Sequence, residues 1–196
     1  MKVLVTGGAG YIGSHAVKEL LKNNYEIVVY DNLSCGFTES LPKDVKFVHG
    51  DLNNIELLEH VFNSNNFDAV IDFSGHLEVE ESMKNPEKFY LNNVLSLLNL
   101  LKMMHNHNVK TMVYSSSASV YGQPKEIPVP ETHFNDTNNV YGETKAIAER
   151  MLKFFDNIYG IKSISLRYFN AAGADSSGEI GEAHNPETHL IPIIFN

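Results

Sequence analysis

Tyr141 and Lys145 carry the plainest chemical signal in the chain, in the run Tyr141-Gly142-Glu143-Thr144-Lys145. Residues four apart share one face of a helix, so the phenol and the ammonium point at the same place. A phenol titrates near ~10 in water and is a poor base at neutral pH, but a nearby cation favours the phenolate. The pair then reads as a general base. Ser117 ends a strand-like run upstream, where its hydroxyl could share a substrate proton and orient its transfer. Taken alone, Tyr-x-x-x-Lys is also the pattern of a solvated helix face, so its meaning depends on what precedes it.

What precedes it is a glycine-rich turn. Val3, Leu4 and Val5 form a short apolar run that reads as a buried strand, and Gly7, Gly10 and Gly13 then open a segment of helical periodicity. A side chain at Gly7 or Gly10 would hold a pyrophosphate away from the backbone, and one at Gly13 would push the helix off the strand. The helix start, Tyr11-Ile12-Gly13, offers free N–H groups and a positive dipole end to an anion. An ordinary strand-to-helix turn would look similar. Asp31 separates the two readings: it ends a second apolar run, Ile27 to Tyr30, eighteen residues after Gly13. A carboxylate there would hold the adenosine ribose of NAD and repel the extra phosphate of NADP. With a dinucleotide site upstream, a positive nicotinamide ring adds to the effect of Lys145 on Tyr141.

Strand-like and helix-like runs alternate along the chain, which predicts an α/β fold with a doubly wound parallel sheet, Rossmann-type, covered by helices on both faces. Val45 to His49 reads as a third strand, Asp68 to Phe73 as a fourth, Lys110 to Tyr114 as a fifth and Ser163 to Tyr168 as a sixth. Helices are expected around Ile55 to Phe62, from an Asn85 cap to about His107, and from Val140 to Tyr159 with a stop at Gly160. The glycine turn, Asp31, Asp51, Phe73-Ser74-Gly75, Ser115 to Ser117 and Phe169-Asn170 each follow a strand. Ligands of doubly wound sheets bind outside those strand ends. Strands must end in something polar in any case, so the set carries more weight than any member.

The composition narrows the setting. A net charge of -9 argues against nucleic acid or an anionic membrane surface as partner. One cysteine, Cys35, gives no internal disulfide and fits a reducing cytoplasm, and no apolar run approaches the ~20 residues of a membrane span. The start runs straight into Thr6-Gly7-Gly8 without the long apolar stretch of a signal peptide, so a cytoplasmic location is expected. Of nine histidines only His105 and His107 lie close, without a carboxylate or cysteine in ligand spacing, so no metal site is expected. The run Leu95, Leu97, Leu98, Leu100, Leu101, Met103, Met104 suits either a core or a subunit interface.

These segments together resemble the extended short-chain dehydrogenase/reductase family. The matching runs are Val5 to Ser14, Asp31-Asn32-Leu33, Gly50-Asp51-Leu52, Ser115 to Gly122, Tyr141 to Lys145 and Leu166 to Ala174. Arg167 to Ala174, Gly178 to Glu182 and Thr188 to Pro192 resemble in particular its members that epimerise UDP-hexoses. The resemblance implies Ser117, Tyr141 and Lys145 as the catalytic set. It implies NAD lined by Gly7, Gly10, Tyr11, Ile12, Gly13, Asp31, Asn32, Asp51, Leu52, Phe73, Ser74, Gly75, Asn92, Lys145 and Phe169. For a UDP-sugar substrate it implies Ser117, Tyr141 and Asn170, with His189 and Leu190 at the cleft edge. It further implies a homodimer through the leucine-rich helix and the Tyr141 helix. The expected reaction is epimerisation at C4, UDP-glucose with UDP-galactose, through a 4-keto intermediate. Alternatives within the family are a 4,6-dehydratase or a uronic acid 4-epimerase. Ala118 and Ser119 speak against the dehydratase, because they stand where such enzymes place acidic residues. A non-catalytic NAD-binding module is the alternative from another class.

Two departures from the family pattern bear on these expectations. Leu77 stands where many members carry a lysine after the Phe-x-Gly turn, removing one phosphate contact. Members also continue into a lobe that holds uridine and diphosphate, whereas this sequence has two arginines, Arg150 and Arg167. Residues 1–170 are therefore expected to form the NAD-binding domain and 171–196 the start of a substrate-binding region. The 196-residue chain is expected to bind NAD, to bind UDP-sugars weakly and to turn over near background.

Overall fold

The computed structural model describes residues 1–134, 136–184 and 190–195. The amino-terminal half runs β1 (Lys2–Thr6), α1 (Tyr11–Lys22), β2 (Glu26–Asp31), β3 (Lys46–His49), α2 (Ile55–Asn63) and β4 (Ala69–Asp72). The second half adds α3 (Val79–Lys84), α4 (Pro86–Phe89), α5 (Ser96–Asn106), β5 (Thr111–Ser117), α6 (Val140–Tyr159), β6 (Lys162–Tyr168) and α7 (Leu190–Phe195). All paired strands are parallel, in the order β3-β2-β1-β4-β5-β6. The order reverses between β1 and β4, which opens a crevice at their carboxyl ends.

Alternation along the strands sorts the core into two layers. Leu4, Val28, Tyr30, Val70, Met112 and Tyr114 face α2, α5 and α6, where they pack with Leu58, Phe62, Leu97, Leu100, Leu101, Met104 and Leu152. Val3, Val5, Val29 and Ala69 face the other way and pack with Val17, Leu20 and Leu21 of α1. Each fully buried leucine contributes roughly 1.5–3 kcal/mol. The leucine-rich run divides accordingly: Leu97, Leu100, Leu101, Met103 and Met104 are core, whereas Leu95 and Leu98 are exposed. On edge strand β6, Ile164 and Leu166 remain exposed.

Local chemistry explains the ends of α6, which carries Tyr141 and Lys145. The Asn139 side chain accepts from the Gly142 N–H at 2.7 Å, and Gly160 closes the helix at φ 67°, a left-handed conformation that suits glycine. The helix expected from Asn85 to His107 is instead broken. Asn85 makes no side-chain cap hydrogen bond, α4 ends at Phe89, and Tyr90–Leu95 form a wider π-helical turn before α5. The reason lies beside it. The His76 N–H meets the Oδ1 atoms of both Asn92 (2.9 Å) and Asn93 (2.8 Å), while Asn93 Nδ2 donates to His76 O and to Thr144 Oγ1. Neighbouring residues of a regular helix diverge too far to reach one loop together, and the wider turn brings them there.

Candidate active site

The carboxyl ends of the strands surround a cavity of ≈ 690 Å³. Gly7, Gly10, Tyr11, Ile12 and Gly13 line it from the first turn, Asp31 and Asn32 from the end of β2, and Asp51 and Leu52 from the loop after β3. Phe73, Ser74 and Gly75 follow β4 and face Asn92 from the π-helical turn; Ser117, Tyr141, Lys145, Phe169, Asn170 and Leu190 complete the wall. Every site residue expected from the sequence lines this one cavity except His189, which lies outside the described residues.

The three glycines have different tasks. Gly7 adopts φ +68°, and a Cβ there would stand 2.6 Å from the backbone of Phe73 and Ser74. Its need for glycine comes from the packing of β1 against the end of β4, which corrects the expectation that it clears space for a ligand. Gly13 would place a Cβ 2.2 Å from Gly7 O, so it sets how closely α1 meets the turn. At Gly10 a Cβ would meet only Gly7 O, at 3.4 Å, and would project into the cavity. Helix α1 begins there without a side-chain cap, so its first N–H groups face the open space. This geometry fits the diphosphate of a dinucleotide.

Asp31 is buried, and its carboxylate accepts from the Ala9 N–H (2.9 Å) and the Leu33 N–H (2.8 Å). It thus ties the glycine turn to the end of β2, with lone pairs left for a ribose at the cavity wall. Asp51 is joined to Asn32 Nδ2 at 2.8 Å, and the Tyr30 hydroxyl donates to Asp51 O. Burial, then the Asp51 charge, pushes the Tyr30 phenol up to about 12, which keeps it a donor. Burial also pushes the Cys35 thiol up, consistent with a loop residue and not a nucleophile.

At the other end of the cavity, α6 meets the three serines that close β5. Lys145 Nζ donates to Ser115 O at 2.8 Å and lies 4.9 Å above the centre of the Tyr114 ring. Lys145 is only 4 % exposed, and burial lowers its ammonium to about 8 against the opposing pull of Asp72. The Asp72 carboxylate is held by Thr6 Oγ1 (2.7 Å) and the Ser74 N–H (2.9 Å). Burial raises the Tyr141 phenol, a hydrogen bond with Ser117 draws it back, and Glu78 raises it further. Ser117 Oγ also accepts from the Ser119 N–H at 3.1 Å, which fixes the hydroxyl oxygen in place.

The sequence reading passed over Glu182, His184 and His76, which also line the cavity. His184 Nδ1 lies 3.5 Å from Glu182 Oε1. Both belong to a stretch without periodic pattern, where Glu182 ends the Gly178 to Glu182 run of the family resemblance and only its charge could have pointed to His184. Arg150 pairs with Glu143 and Arg167 with Glu149, and neither is among the described residues that line the cavity. No group of three or more metal-ligating side chains, and no helix long and apolar enough to cross a membrane, occurs among the described residues.

A parallel sheet with a glycine turn at its switch point, Ser117 at the end of β5 and Tyr141 and Lys145 on the β5-to-β6 crossover together define a dinucleotide-binding α/β architecture. The profile of the NAD dependent epimerase/dehydratase family matches residues 3–196, and the chain belongs to that family. It is 48% identical over 195 residues to a UDP-glucose 4-epimerase of Halalkalibacterium halodurans, covering 100% of this chain and 58% of that protein. The UDP-glucose 4-epimerase of Brucella ovis in complex with NAD superposes with a TM-score of 0.95 at 43% identity, over 98% of this chain and 59% of that one. The Bifidobacterium longum UDP-glucose 4-epimerase in complex with NAD+ and UDP gives 0.90 at 41% identity, over 94% and 58%. The chain thus spans about three-fifths of the length of these relatives.

Proposed function

We propose that this chain binds NAD and carries the catalytic half of a UDP-hexose 4-epimerase, interconverting UDP-glucose and UDP-galactose. The observation that carries the reading is the convergence of Ser117, Tyr141 and Lys145 with the glycine turn on one cavity. Gly10 and the start of α1 would hold the diphosphate, Asp31 the adenosine ribose, and Phe73 to Gly75, Asn92 and Phe169 the rest of the dinucleotide. When bound, NAD supplies hydride transfer to and from C4, which interconverts the alcohol and a 4-keto sugar. Tyr141 takes the proton of the 4-hydroxyl and returns it on the other face, and Ser117 holds that oxygen during the transfer. Tyr141 must part with its own proton first, and a positive charge brought within ~4–6 Å favours that step.

In this reading residues 1–170 form the NAD-binding unit and 171–196 the start of the substrate-binding region, with Asn170 and Leu190 nearest the sugar nucleotide. The exposed Leu95 and Leu98 on the α5 side, with Phe154 and Ile158 on α6, support a homodimer through these helices. A second reading, an NAD-binding module without turnover, draws support from the pairing of both arginines away from the cavity, which leaves the substrate diphosphate without a forked partner. Calorimetry with NAD, followed by an assay of UDP-galactose conversion, separates the two. Binding with turnover supports the epimerase, binding with background turnover supports the module, and no NAD binding overturns both.

A further inference from the structure

Beyond Lys145 the same stripe of α6 continues to Glu149, one turn further on, and this residue is absorbed by none of the roles above. Its carboxylate accepts from Ser116 Oγ at 2.6 Å and from both arms of Arg167, Nε at 2.9 Å and Nη2 at 2.7 Å. The pair is largely covered, with side chains 13% and 21% exposed. Arg167 is itself seated 4.7 Å over the Tyr121 ring and donates to Glu131 O at 3.1 Å. Two residues of this stripe of α6, one turn apart, thus meet neighbouring serines of β5, Lys145 at Ser115 O and Glu149 at Ser116 Oγ, while Tyr141, one turn before Lys145, lines the same cavity as Ser117.

A planar fork on a carboxylate fixes both distance and direction, which a single contact does not. The Glu149 contacts reach β5 and β6 together, one residue before Ser117 and just before Phe169 and Asn170. A slip of α6 along β5 would break the fork and the Ser116 bond at once. We propose that Glu149 is a positioning residue: clamped by Arg167 and Ser116, it sets the register of α6 on β5 and thereby brings the Tyr141 hydroxyl to Ser117. The inference rests on the reading of Tyr141 and Ser117 as the reacting pair.

The test is a coupling measurement on the full chain, made with 3-fluorotyrosine in place of tyrosine. The fluorine brings phenol titration into a milder pH range and reports it by ¹⁹F NMR, with Y141F identifying the resonance of residue 141. In the parent, S117A raises the Tyr141 midpoint, since the Ser117 hydrogen bond stabilises the phenolate. In an E149Q background the S117A shift is expected to fall to less than half of its parent value. R167K, which keeps the charge but loses the fork, is expected to reduce it in the same direction and serves if E149Q does not fold. An S117A shift of the same size in the parent and in either folded background overturns the proposal while leaving the catalytic reading intact. No S117A shift in the parent overturns the pair itself, and the positioning role with it.

Discussion

Lys145 donates its ammonium to the main-chain carbonyl of Ser115 across 2.8 Å, inside a site where burial lowers its titration to about 8. The folded chain therefore binds this proton more weakly than the unfolded chain, whose lysine titrates near ~10.4. Below pH 8 both states are protonated and the fold carries the full cost of the buried charge. As pH rises from about 8 towards ~10.4 that cost disappears and stability increases. K145M is thus expected to stabilise the chain at pH 7 without NAD, by roughly 2 kcal/mol once a lost hydrogen bond is subtracted. The gain should shrink towards pH 10. Denaturant melts at both pH values decide this, and a less stable variant at pH 7 contradicts it. NAD affinity is expected to fall in the same protein.

Y141F tests the general base. The ring that fills the wall remains, so NAD affinity is expected within about twofold of the parent, whereas conversion of UDP-galactose falls by ~10²-fold or more wherever the parent turns over. Calorimetry gives the first quantity and a coupled assay the second. Activity near the parent level would remove Tyr141 from its role.

The glycines allow a sharper division, because their Cβ environments differ. G13A is expected to lose roughly 2–4 kcal/mol of stability, since its methyl would meet Gly7 O at 2.2 Å, and G7A to lose a comparable amount from strain and from the Phe73 backbone. G10A meets only Gly7 O at 3.4 Å. Its melting should stay close to the parent while NAD binding drops. A G10A protein that binds NAD normally would place the diphosphate elsewhere.

D31A acts on two levels. Loss of the carboxylate leaves the Ala9 and Leu33 N–H groups without their acceptor, at a cost of about 1–3 kcal/mol each where they stay buried. It also removes a like-charge repulsion, so the preference for NAD over NADP is expected to narrow. Titrating both cofactors checks the second effect separately from the first. An unchanged NADP-to-NAD ratio would mean that Asp31 serves only the turn.

The layers of the fold were legible because each strand is a short apolar run and each site residue sits just past one. Helix α6 could be bounded almost to the residue, since Gly160 marks its stop, whereas the Asn139 cap emerged only in the structure. The π-helical turn could not, because Asn92 and Asn93 acquire their meaning from His76, a loop residue whose position is set only once β4 and α5 have packed. Glu149 was within reach of the same spacing argument that found Tyr141 and Lys145, but its partner Arg167 lies on another element.

The stretch after β6 gives the last prediction. Among the described residues, 171–184 contain neither helix nor strand, and side chains of α1 hold them. The Tyr11 hydroxyl donates to Gly173 O at 2.6 Å, and Lys18 Nζ reaches Asp175 (2.8 Å), Ser177 (2.6 Å) and Glu179 (2.6 Å). These contacts hold Asp175 well below the usual carboxylate range and raise Lys18. By sign, the Asp175 contribution is present above its unfolded value near 3.8 and lost in stronger acid, and that of Lys18 is present below 10.5 and lost in stronger base, so the strap holds across the neutral range. Glu182 and His184 then enter the cavity wall. K18A is expected to raise amide hydrogen exchange over residues 173–184 by about tenfold while α1 and the sheet keep their protection. NAD should dissociate faster from K18A, because part of the wall is released. Exchange mass spectrometry at pH 7 and low salt reads the first effect and stopped-flow displacement the second; unchanged exchange over 173–184 would show that the strap is held by packing and not by Lys18.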